Sequence, residues 1–338
     1  MHYISLPVLL CLSVATGLVA ADPHRHEGSP GDDNIRCIGR WDRRIQDNWH
    51  SHWGSAYLRT GFTGTTVKVR LADGAGLLVS VDGEPIRSVS GGGVVDLTPT
   101  ALKPGDHTLL LAADGQNHEM RFQGLVLDAG AVTLPVPERP LIEFVGDSIT
   151  ACPGKDGNAA SNYAWMAAEM LGCDHAQIAF SGVALASGYG FFGDKTGFDI
   201  WYFRLKNCNH PDQDAWGFFP VPQLVVVNLG TNDVKDGKRP TNDEFAITYR
   251  NFLGQVRAKL PKAELVGIRP FGGFLAGGVL AAVEAMNKAG DLKVHYVDTE
   301  GWLTKDDFSD GIHPTVAGHA KAAKRLAAAL GPLSTKNP

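Results

Sequence analysis

The pattern of apolar residues changes once along this chain, at a proline-rich segment between residues 134 and 140. Upstream of it, short runs of alternating apolar and polar residues are separated by turn residues, as at 66–71, 76–81, 107–111 and 121–127. No helical period interrupts these runs, which predicts an all-β half, a sandwich of the jelly-roll kind. A chain of 338 residues is long for one core, so two domains are expected.

Downstream of residue 140 the apolar runs alternate between the lengths of strands and helices. The strands are predicted at 141–145, 175–180, 223–228, 264–268 and 293–297, and the helices near 159–171, 243–259, 277–289 and 315–330. Five strands separated by helices predict an α/β domain with a parallel sheet that is covered on both faces.

The first residues of the chain indicate export. Residues 4–19 are apolar and are followed by two alanines, which fits a signal peptide over residues 1–21 and a secreted protein with no membrane attachment after cleavage. The apolar stretch is short for a membrane span, and an uncleaved anchor is the alternative. Residues 22–34 are polar and predict a disordered leader.

Net charge and cysteine content limit the partners and the covalent links. A net charge of -5 provides no basic excess for nucleic-acid phosphates, so no nucleic-acid partner is expected. Cys37, Cys152, Cys173 and Cys208 remain after signal cleavage, and four cysteines allow three complete pairings. A disulfide between Cys152 and Cys208 is one hypothesis among them.

No metal site and no cofactor is predicted. His50 and His52 stand two residues apart, but no cysteine or carboxylate accompanies them in the sequence. His319 falls on the last predicted helix, six residues after His313, and is expected at a solvated position.

Four short polar motifs each follow a predicted strand of the second half. They are Gly146-Asp147-Ser148, Ser181-Gly182, Gly230-Thr231-Asn232-Asp233 and Asp310-Gly311-Ile312-His313. Open α/β sheets bind their ligands at the carboxyl ends of the strands, so these motifs are expected to meet at one edge. The G-x-S-x-G elbow of α/β-hydrolases and the H-E-x-x-H zinc motif are absent from the sequence.

The residue types in these motifs are those that acyl transfer requires. Ser148 can act as the nucleophile and His313 as its base, and Asp310 can orient the imidazole. The backbone amides of Ser148 and Gly182, with the side-chain amide of Asn232, can donate hydrogen bonds to an oxyanion. The two other acidic residues of the motifs, Asp147 and Asp233, are expected to stabilise turns.

The order of the motifs resembles that of the SGNH (GDSL-type) hydrolase superfamily. The blocks of that family match Gly146-Asp147-Ser148, Gly182, Gly230-x-Asn232-Asp233 and Asp310-x-x-His313. The resemblance covers residues 138–332 and implies a flavodoxin-like three-layer α/β/α fold. It also implies that Ser148 and His313 form the catalytic pair and that Gly182 and Asn232 line the oxyanion hole.

The upstream half, residues 36–137, is similar to the N-terminal jelly roll of carbohydrate esterase family 2. The resemblance rests on 38–42, 53–59 and 62–65, together with the order of the two domains. It implies deacetylation of xylan or glucomannan. Some members of that family orient the histidine through the backbone, which leaves open whether Asp310 is needed. The candidates for the family's substrate-stacking aromatic residue are Trp201, Trp216 and Phe274.

The sequence therefore predicts a secreted serine esterase that removes acetyl groups from plant cell-wall polysaccharide through an acyl-enzyme on Ser148. Its partner is an acetylated polysaccharide or oligosaccharide. Two alternatives are a lipase or thioesterase of the same superfamily, acting on other acyl esters, and a carbohydrate-binding protein without catalysis. An aromatic-rich segment over 188–220 is long for a connection inside a domain, and most of its rings are expected in the core.

Overall fold

The computed structural model describes residues 26–210 and 214–334. Its first half is a seven-stranded antiparallel system in which two long strands each pair with several shorter ones. The strands are β1 (Arg36–Asp42), β2 (Trp49–Gly64), β3 (Val67–Val81), β4 (Arg87–Asp96), β5 (Gly105–Ala113), β6 (Arg121–Leu127) and β7 (Thr133–Leu134). The predicted all-β character of this half is confirmed.

Strand β3 joins two runs that the sequence separates. The sequence analysis places turn residues between the runs 66–71 and 76–81, but the pairing of β3 with β4 continues on both sides of Asp73 and Gly74, with a shift of register between Leu71 and Ala75. The polar residues are thus accommodated as an irregularity within one strand, because the strand is long enough to bend there.

The leader prediction for 22–34 is wrong for the part that the structure describes. Asp32 is buried, and its carboxylate accepts hydrogen bonds from the amide of Gly28 at 3.0 Å and the hydroxyl of Thr133 at 2.7 Å. Asp32, together with Asn34 and the carbonyl of His26, therefore ties this polar segment to Thr133 of β7. The signal-peptide prediction for residues 1–21 lies outside the described residues.

The second half contains a five-stranded parallel sheet in the order β12-β11-β10-β8-β9. Its strands are β8 (Leu141–Gly146), β9 (Asp174–Ala179), β10 (Leu224–Asn228), β11 (Glu264–Ile268) and β12 (Val294–Val297). Their starts and ends lie within one residue of the predicted ones. The three inner strands, β8, β10 and β11, are buried at every position, as expected for a sheet covered on both faces.

Helices cover this sheet from both sides. They are α1 (Ser148–Ala151), α2 (Tyr163–Met170), α3 (Phe198–Trp201), α4 (Asn242–Lys259), α5 (Ala276–Lys288) and α6 (Val316–Ser334). Side chains of α2 and α6 pack together with Phe144 and Val226, whereas those of α4 and α5 pack with the neighbouring residues Val145 and Val227. Successive strand residues therefore point to opposite covered faces. The four longer helices confirm the predicted ones, and the short α1 and α3 were not predicted.

The two halves share buried polar contacts. The guanidinium of Arg40 on β1 lies 3.3 Å from the carboxylate of Glu143 on β8, and that of Arg59 on β2 lies 2.7 Å from Asp174 on β9. The hydroxyl of Tyr57 donates to the same aspartate at 3.0 Å. No helix within 26–210 and 214–334 is both long and apolar enough to span a membrane.

Candidate active site

Ser148 lies two residues after the end of β8, at the first residue of α1. Asp147 caps this short helix, and its Oδ1 accepts a hydrogen bond from the amide of Ile149 at 2.9 Å. Position 146 has no room for a side chain, since a Cβ atom there would lie 2.1 Å from Oγ1 of Thr150. The turn therefore fixes Ser148 at the carboxyl edge of the sheet, where 9% of the residue is exposed.

His313 comes to the same edge from the loop between β12 and α6. Its Nε2 lies 2.8 Å from Oγ of Ser148. Two backbone hydrogen bonds close the loop, from Ser309 to the carbonyl of His313 at 2.9 Å and from Thr315 to that of Asp307 at 2.8 Å. The imidazole is thus supported by its own loop, at the start of the final helix.

Asp310 contacts both the ring and the backbone of His313. Its Oδ2 lies 2.7 Å from Nδ1 of the ring, and its Oδ1 accepts from the amides of His313 at 2.8 Å and Ile312 at 3.0 Å. The backbone amide of His313, followed by its ring, holds the pKa of Asp310 at about 2. The ionised carboxylate favours the tautomer with the proton on Nδ1, which leaves the lone pair of Nε2 towards Ser148.

The other two strand-end motifs start beside the first. Gly146 pairs with Ala179 at the end of β9 and with Asn228 at the end of β10. Gly182, three residues beyond β9, has a φ of 78°, in the left-handed region that favours glycine. Adjacent strand ends thus bring the motifs to one edge of the sheet, as the sequence predicts.

Asn232 is tied to the loop that follows Gly182. Its Nδ2 donates to the carbonyl of Val183 at 3.2 Å, and the residue is 9% exposed. A primary amide carries two hydrogens, so the second remains for another acceptor. The carbonyl of Gly182 itself accepts from the amide of Phe191 at 2.8 Å, which connects this loop to the aromatic-rich segment.

Asp147 and Asp233 stabilise loops, in agreement with the sequence prediction. Asp233 accepts hydrogen bonds from the amides of Leu185 at 3.2 Å and Ala186 at 3.1 Å, and so links the third motif to the second. Both carboxyls are fully buried, and burial raises the pKa of each to about 6.

The three aromatic candidates lie in different surroundings. Phe274 is half-buried beside the third motif, and its ring lies 4.1 Å from the guanidinium of Arg239. That guanidinium also donates to the carbonyls of Gly230 at 3.0 Å and Thr231 at 2.8 Å. Phe274 is therefore connected to the loop that carries Asn232.

Trp201 and Trp216 have mainly packing contacts. Trp201 is buried in the core of the aromatic-rich segment, with the guanidinium of Arg204 4.5 Å from its ring centroid. Trp216 is half-buried, and its ring centroid lies 5.4 Å from the guanidinium of Arg40, where the two halves meet. Neither contact connects these rings to Ser148.

Two residues near the motifs were missed in the sequence. Gln116, from the connection between β5 and β6, accepts hydrogen bonds on Oε1 from the amide and the hydroxyl of Ser181, each at 2.9 Å. Arg239 supports the third motif, as described above. Neither belongs to a strand-end motif, and Gln116 comes from the other half of the chain, so no local pattern could indicate them.

Two other expectations are wrong, and the surroundings of His50 differ from what its sequence neighbours indicate. His319 is buried rather than solvated, and its ring stacks on that of Tyr163 with centroids 6.0 Å apart. The Cys152–Cys208 disulfide is not formed, because Sγ of Cys152 contacts the hydroxyl of Ser181 at 3.4 Å and both cysteines are free thiols. His50 does have a carboxylate neighbour, because folding brings Glu119 to 2.8 Å from its Nε2.

A serine hydroxyl bonded to an imidazole, with a carboxylate on the other ring nitrogen, is the arrangement that activates serine for attack on an acyl carbon. A model of the GDSL-like lipase/acylhydrolase family matches residues 144–321, more than half of the chain. The chain belongs to that family. A second model, the N-terminal domain of carbohydrate esterase 2, matches residues 37–137.

Curated relatives of this GDSL-family chain are carbohydrate-active enzymes. It is 29% identical to "Cellulase/esterase CelE" of Acetivibrio thermocellus over an alignment of 334 residues that covers 89% of this chain and 40% of the relative. It is 26% identical to "Acetylxylan esterase / glucomannan deacetylase" of Cellvibrio japonicus over an alignment of 243 residues that covers 63% of this chain and 66% of the relative. The chain thus spans less than two thirds of the length of either relative.

Solved structures include a similar two-part arrangement. A family two carbohydrate esterase from Clostridium thermocellum, in complex with cellohexaose, has a TM-score of 0.77 and 27% identity to this chain. The match covers 88% of this chain and 98% of the esterase. The sheet-rich first half and the parallel sheet of the second half are therefore both accounted for by the family.

Proposed function

We propose that this chain is a serine esterase that removes O-acetyl groups from a polysaccharide such as xylan or glucomannan. The observation that carries the proposal is the 2.8 Å contact between Oγ of Ser148 and Nε2 of His313, with Asp310 on the opposite nitrogen. The named activities of the two relatives supply the acetylated carbohydrate as the substrate class.

The proposed reaction has two steps through an acetyl-enzyme. Oγ of Ser148 attacks the acetyl carbonyl carbon while its proton passes to Nε2 of His313. When the carbon–oxygen bond to the sugar breaks, the imidazolium returns that proton to the leaving hydroxyl. A water molecule then attacks the acetyl-enzyme while one of its protons passes to the same imidazole, and the imidazolium returns that proton to Oγ of Ser148 as acetic acid leaves.

The negative charge of each tetrahedral intermediate needs donors that are already in position. We assign this role to the backbone amides of Ser148 and Gly182 and to the second hydrogen on Nδ2 of Asn232. The hydrogen bond from Asn232 to Val183 supports the assignment, because it fixes the amide group next to Gly182. Of the aromatic candidates, the contact of Phe274 with Arg239 favours Phe274 as the substrate-contacting ring.

We also propose which fold type each half of the chain adopts. Numbered along the chain, the parallel sheet has the order 2-1-3-4-5, which supports a flavodoxin-like three-layer domain over residues 138–332. The multiple pairings of β2 and β3 support a jelly-roll sandwich over residues 36–137. Export of the protein with a signal peptide over residues 1–21 is likewise proposed.

The proposal is tested by measuring acetate release from acetylated xylan and acetylated glucomannan, and hydrolysis of an aryl acetate, with the Ser148→Ala variant. We expect kcat to fall by about 10⁴-fold or more, because the nucleophile and base act as a unit. Ser88→Ala, at an exposed position of β4, is the matched control and should keep full activity.

Three results would contradict the proposal. Turnover of the aryl acetate by Ser148→Ala at the wild-type rate would exclude Ser148 as the nucleophile. An aryl octanoate hydrolysed faster than the acetate would favour a lipase or thioesterase, since an acetyl pocket excludes the longer chain. Binding of xylan with no acetate release by the wild-type protein would favour a carbohydrate-binding protein.

A further inference from the structure

Four potential metal ligands meet where the two halves of the molecule come together. His50 and His52 lie on β2, Glu119 lies in the connection between β5 and β6, and His210 lies in the aromatic-rich segment of the second half. Nε2 of His50 is 2.8 Å from one oxygen of Glu119, and Nε2 of His210 is 2.9 Å from the other. Nδ1 of His52 is 3.8 Å from the carboxylate.

His52 is the least satisfied member of this group. It is fully buried, and among the described residues neither of its ring nitrogens has a hydrogen-bond partner. Its ring centroid lies 4.1 Å from that of His50 and 4.9 Å from that of His210. A buried polar group without a partner is costly, so this imidazole, directed among two others and a carboxylate, needs a ligand.

His175 shows that burial alone does not define such a group. It is also buried with both ring nitrogens unpartnered in the described part of the chain. Its nearest rings, however, are those of Tyr57 at 4.9 Å and Trp165 at 4.6 Å, which are not the imidazole, thiolate or carboxylate ligands of a zinc site. Within 26–210 and 214–334, only the cluster around Glu119 combines an unsatisfied imidazole with further ligands within reach.

We propose that His50, His52, His210 and Glu119 bind a divalent transition metal ion of the zinc type. Imidazole nitrogens with one carboxylate suit zinc, whereas calcium and magnesium prefer oxygen ligands. In a tetrahedral zinc site, ligand atoms about 2.1 Å from the ion stand about 3.4 Å from one another. The ligand atoms of His50, His52 and Glu119 all lie within 4.8 Å of one another, so small side-chain shifts complete the site.

A neighbouring side chain already orients the carboxylate. Nδ2 of Asn207 donates to Oε1 of Glu119 at 2.8 Å. Metal ligands are commonly held by such hydrogen bonds, which keep them in position before the ion arrives.

The site would act as a structural link. With four protein ligands it leaves no open position for a substrate. The metal would join β2 to the aromatic-rich segment. It would also fix the connection that carries Gln116, whose side chain holds Ser181 next to the proposed oxyanion residue Gly182. A cavity of about 320 Å³, lined by His50, Gln116, Glu119 and His210, gives the ion a route from solvent.

The test uses the full-length protein without a polyhistidine tag, freed of metal by a chelator. Titration calorimetry with zinc chloride should give one ion per chain, and cobalt chloride should give the intense visible absorption of a tetrahedral site. In the double variant His50→Gln/His210→Gln the affinity for zinc should fall by at least roughly 100-fold. His107→Gln is the matched control, because His107 pairs with Asp82 elsewhere in the first half.

Thermal unfolding provides the second readout. Zinc should raise Tm for the wild type and for His107→Gln but not for the double variant, since an ion that binds only the folded state stabilises it. Near-UV circular dichroism without metal shows whether the double variant is folded. Equal zinc binding by a folded double variant, or no binding by the wild type, overturns the proposal. The acetyl-esterase assay does not enter the comparison, so failure of one proposal leaves the other intact.

Discussion

At the scale of single residues, Asp310 raises the question of how much an exposed carboxylate contributes to catalysis. Its side chain is 54% exposed, and that of His313 is 36% exposed. Water can therefore solvate part of the charge that forms on the imidazole, which weakens the electrostatic contribution. The geometry is nevertheless complete, since one carboxylate binds both the ring and the backbone of the histidine.

We expect Asp310→Asn to lower kcat on an aryl acetate by about 10- to 100-fold, with little change in KM. The amide can still accept from the backbone of His313, but it no longer balances the charge of the imidazolium. Because the pKa of Asp310 is about 2, the wild-type carboxylate is ionised throughout the assay range, and kinetics between pH 6 and pH 8 are suitable.

Asp306→Asn is the matched control, because Asp306 is exposed four residues away in the same loop. Its kcat should equal that of the wild type. A rise in KM with kcat unchanged for Asp310→Asn would indicate a role in substrate binding rather than in positioning the imidazole. No loss at all would mean that the backbone of the loop suffices to orient His313.

The predicted residues of the site stand in short polar motifs that follow predicted strands. Ser148 and Asn232 lie within a few residues of the ends of β8 and β10, so the sheet determines their location, whereas His313 comes from a longer loop after β12. Glu119 and Gln116 could not be predicted to lie near the second half, because they meet it only where the two sheets pack together. His319 was misjudged for a similar reason, since its burial depends on packing between α6 and α2.

At the scale of elements, the connection from β8 to α1 depends on a residue without a side chain. A Cβ atom at position 146 would lie 2.1 Å from Oγ1 and 2.6 Å from Cβ of Thr150, one turn further along. Thr150 is itself buried, and its hydroxyl is within 2.8 Å of that of Tyr163 on α2. The threonine therefore cannot move aside without breaking a buried hydrogen bond.

Gly146→Ala should lower the free energy of unfolding by about 1–3 kcal/mol, because overpacking forces the turn to shift. It should also reduce kcat, since Ser148 is two residues away. Gly254→Ala is a control of opposite sign. Gly254 is exposed on α4 with open space around it, and alanine there should stabilise by about 0.5–1 kcal/mol. Urea unfolding measures the free energy of unfolding of both variants, and equal values for the two would contradict the steric argument.

The elements of the second half were easier to predict than those of the first. Buried parallel strands are continuous apolar runs, as in 224–228, and their limits are visible in the sequence. In the first half, β3 continues through Asp73 and Gly74 because pairing with β4 resumes beyond the irregularity. Local turn signals cannot reveal that a partner strand is present on both sides.

At the scale of the whole molecule, the two halves share one buried region. Trp53 and Tyr57 of β2 belong to the same apolar cluster as Phe198 and Trp201 of the second half. The indole nitrogen of Trp53 donates to the carbonyl of Leu205 at 3.1 Å. Such continuity predicts that the halves unfold together, because neither can lose its contacts without exposing the core of the other.

Two arginines of β1 make the matched pair of probes for this continuity. Arg40 is 1% exposed, and it donates to the carbonyl of Tyr202 at 2.6 Å and contacts the buried Glu143. Arg36 reaches Glu138 at 2.6 Å, but the side chains are 32% and 83% exposed. Both ion pairs connect the same strand to the second half, and they differ mainly in burial.

We expect Arg40→Met to lower the free energy of unfolding by about 3–5 kcal/mol, because it leaves the charge of Glu143 without its ion-pair partner and the carbonyls of Tyr202 and Arg204 without this donor in a buried region. Arg36→Met should change it by less than about 1 kcal/mol, since water replaces the lost partner. Urea unfolding followed by tryptophan fluorescence and far-UV circular dichroism should give coincident single transitions for the wild type and for Arg36→Met. Equal losses for the two variants would show that burial does not set the strength of the contact. Two separated transitions in the wild type would show that the halves are independent despite their shared core.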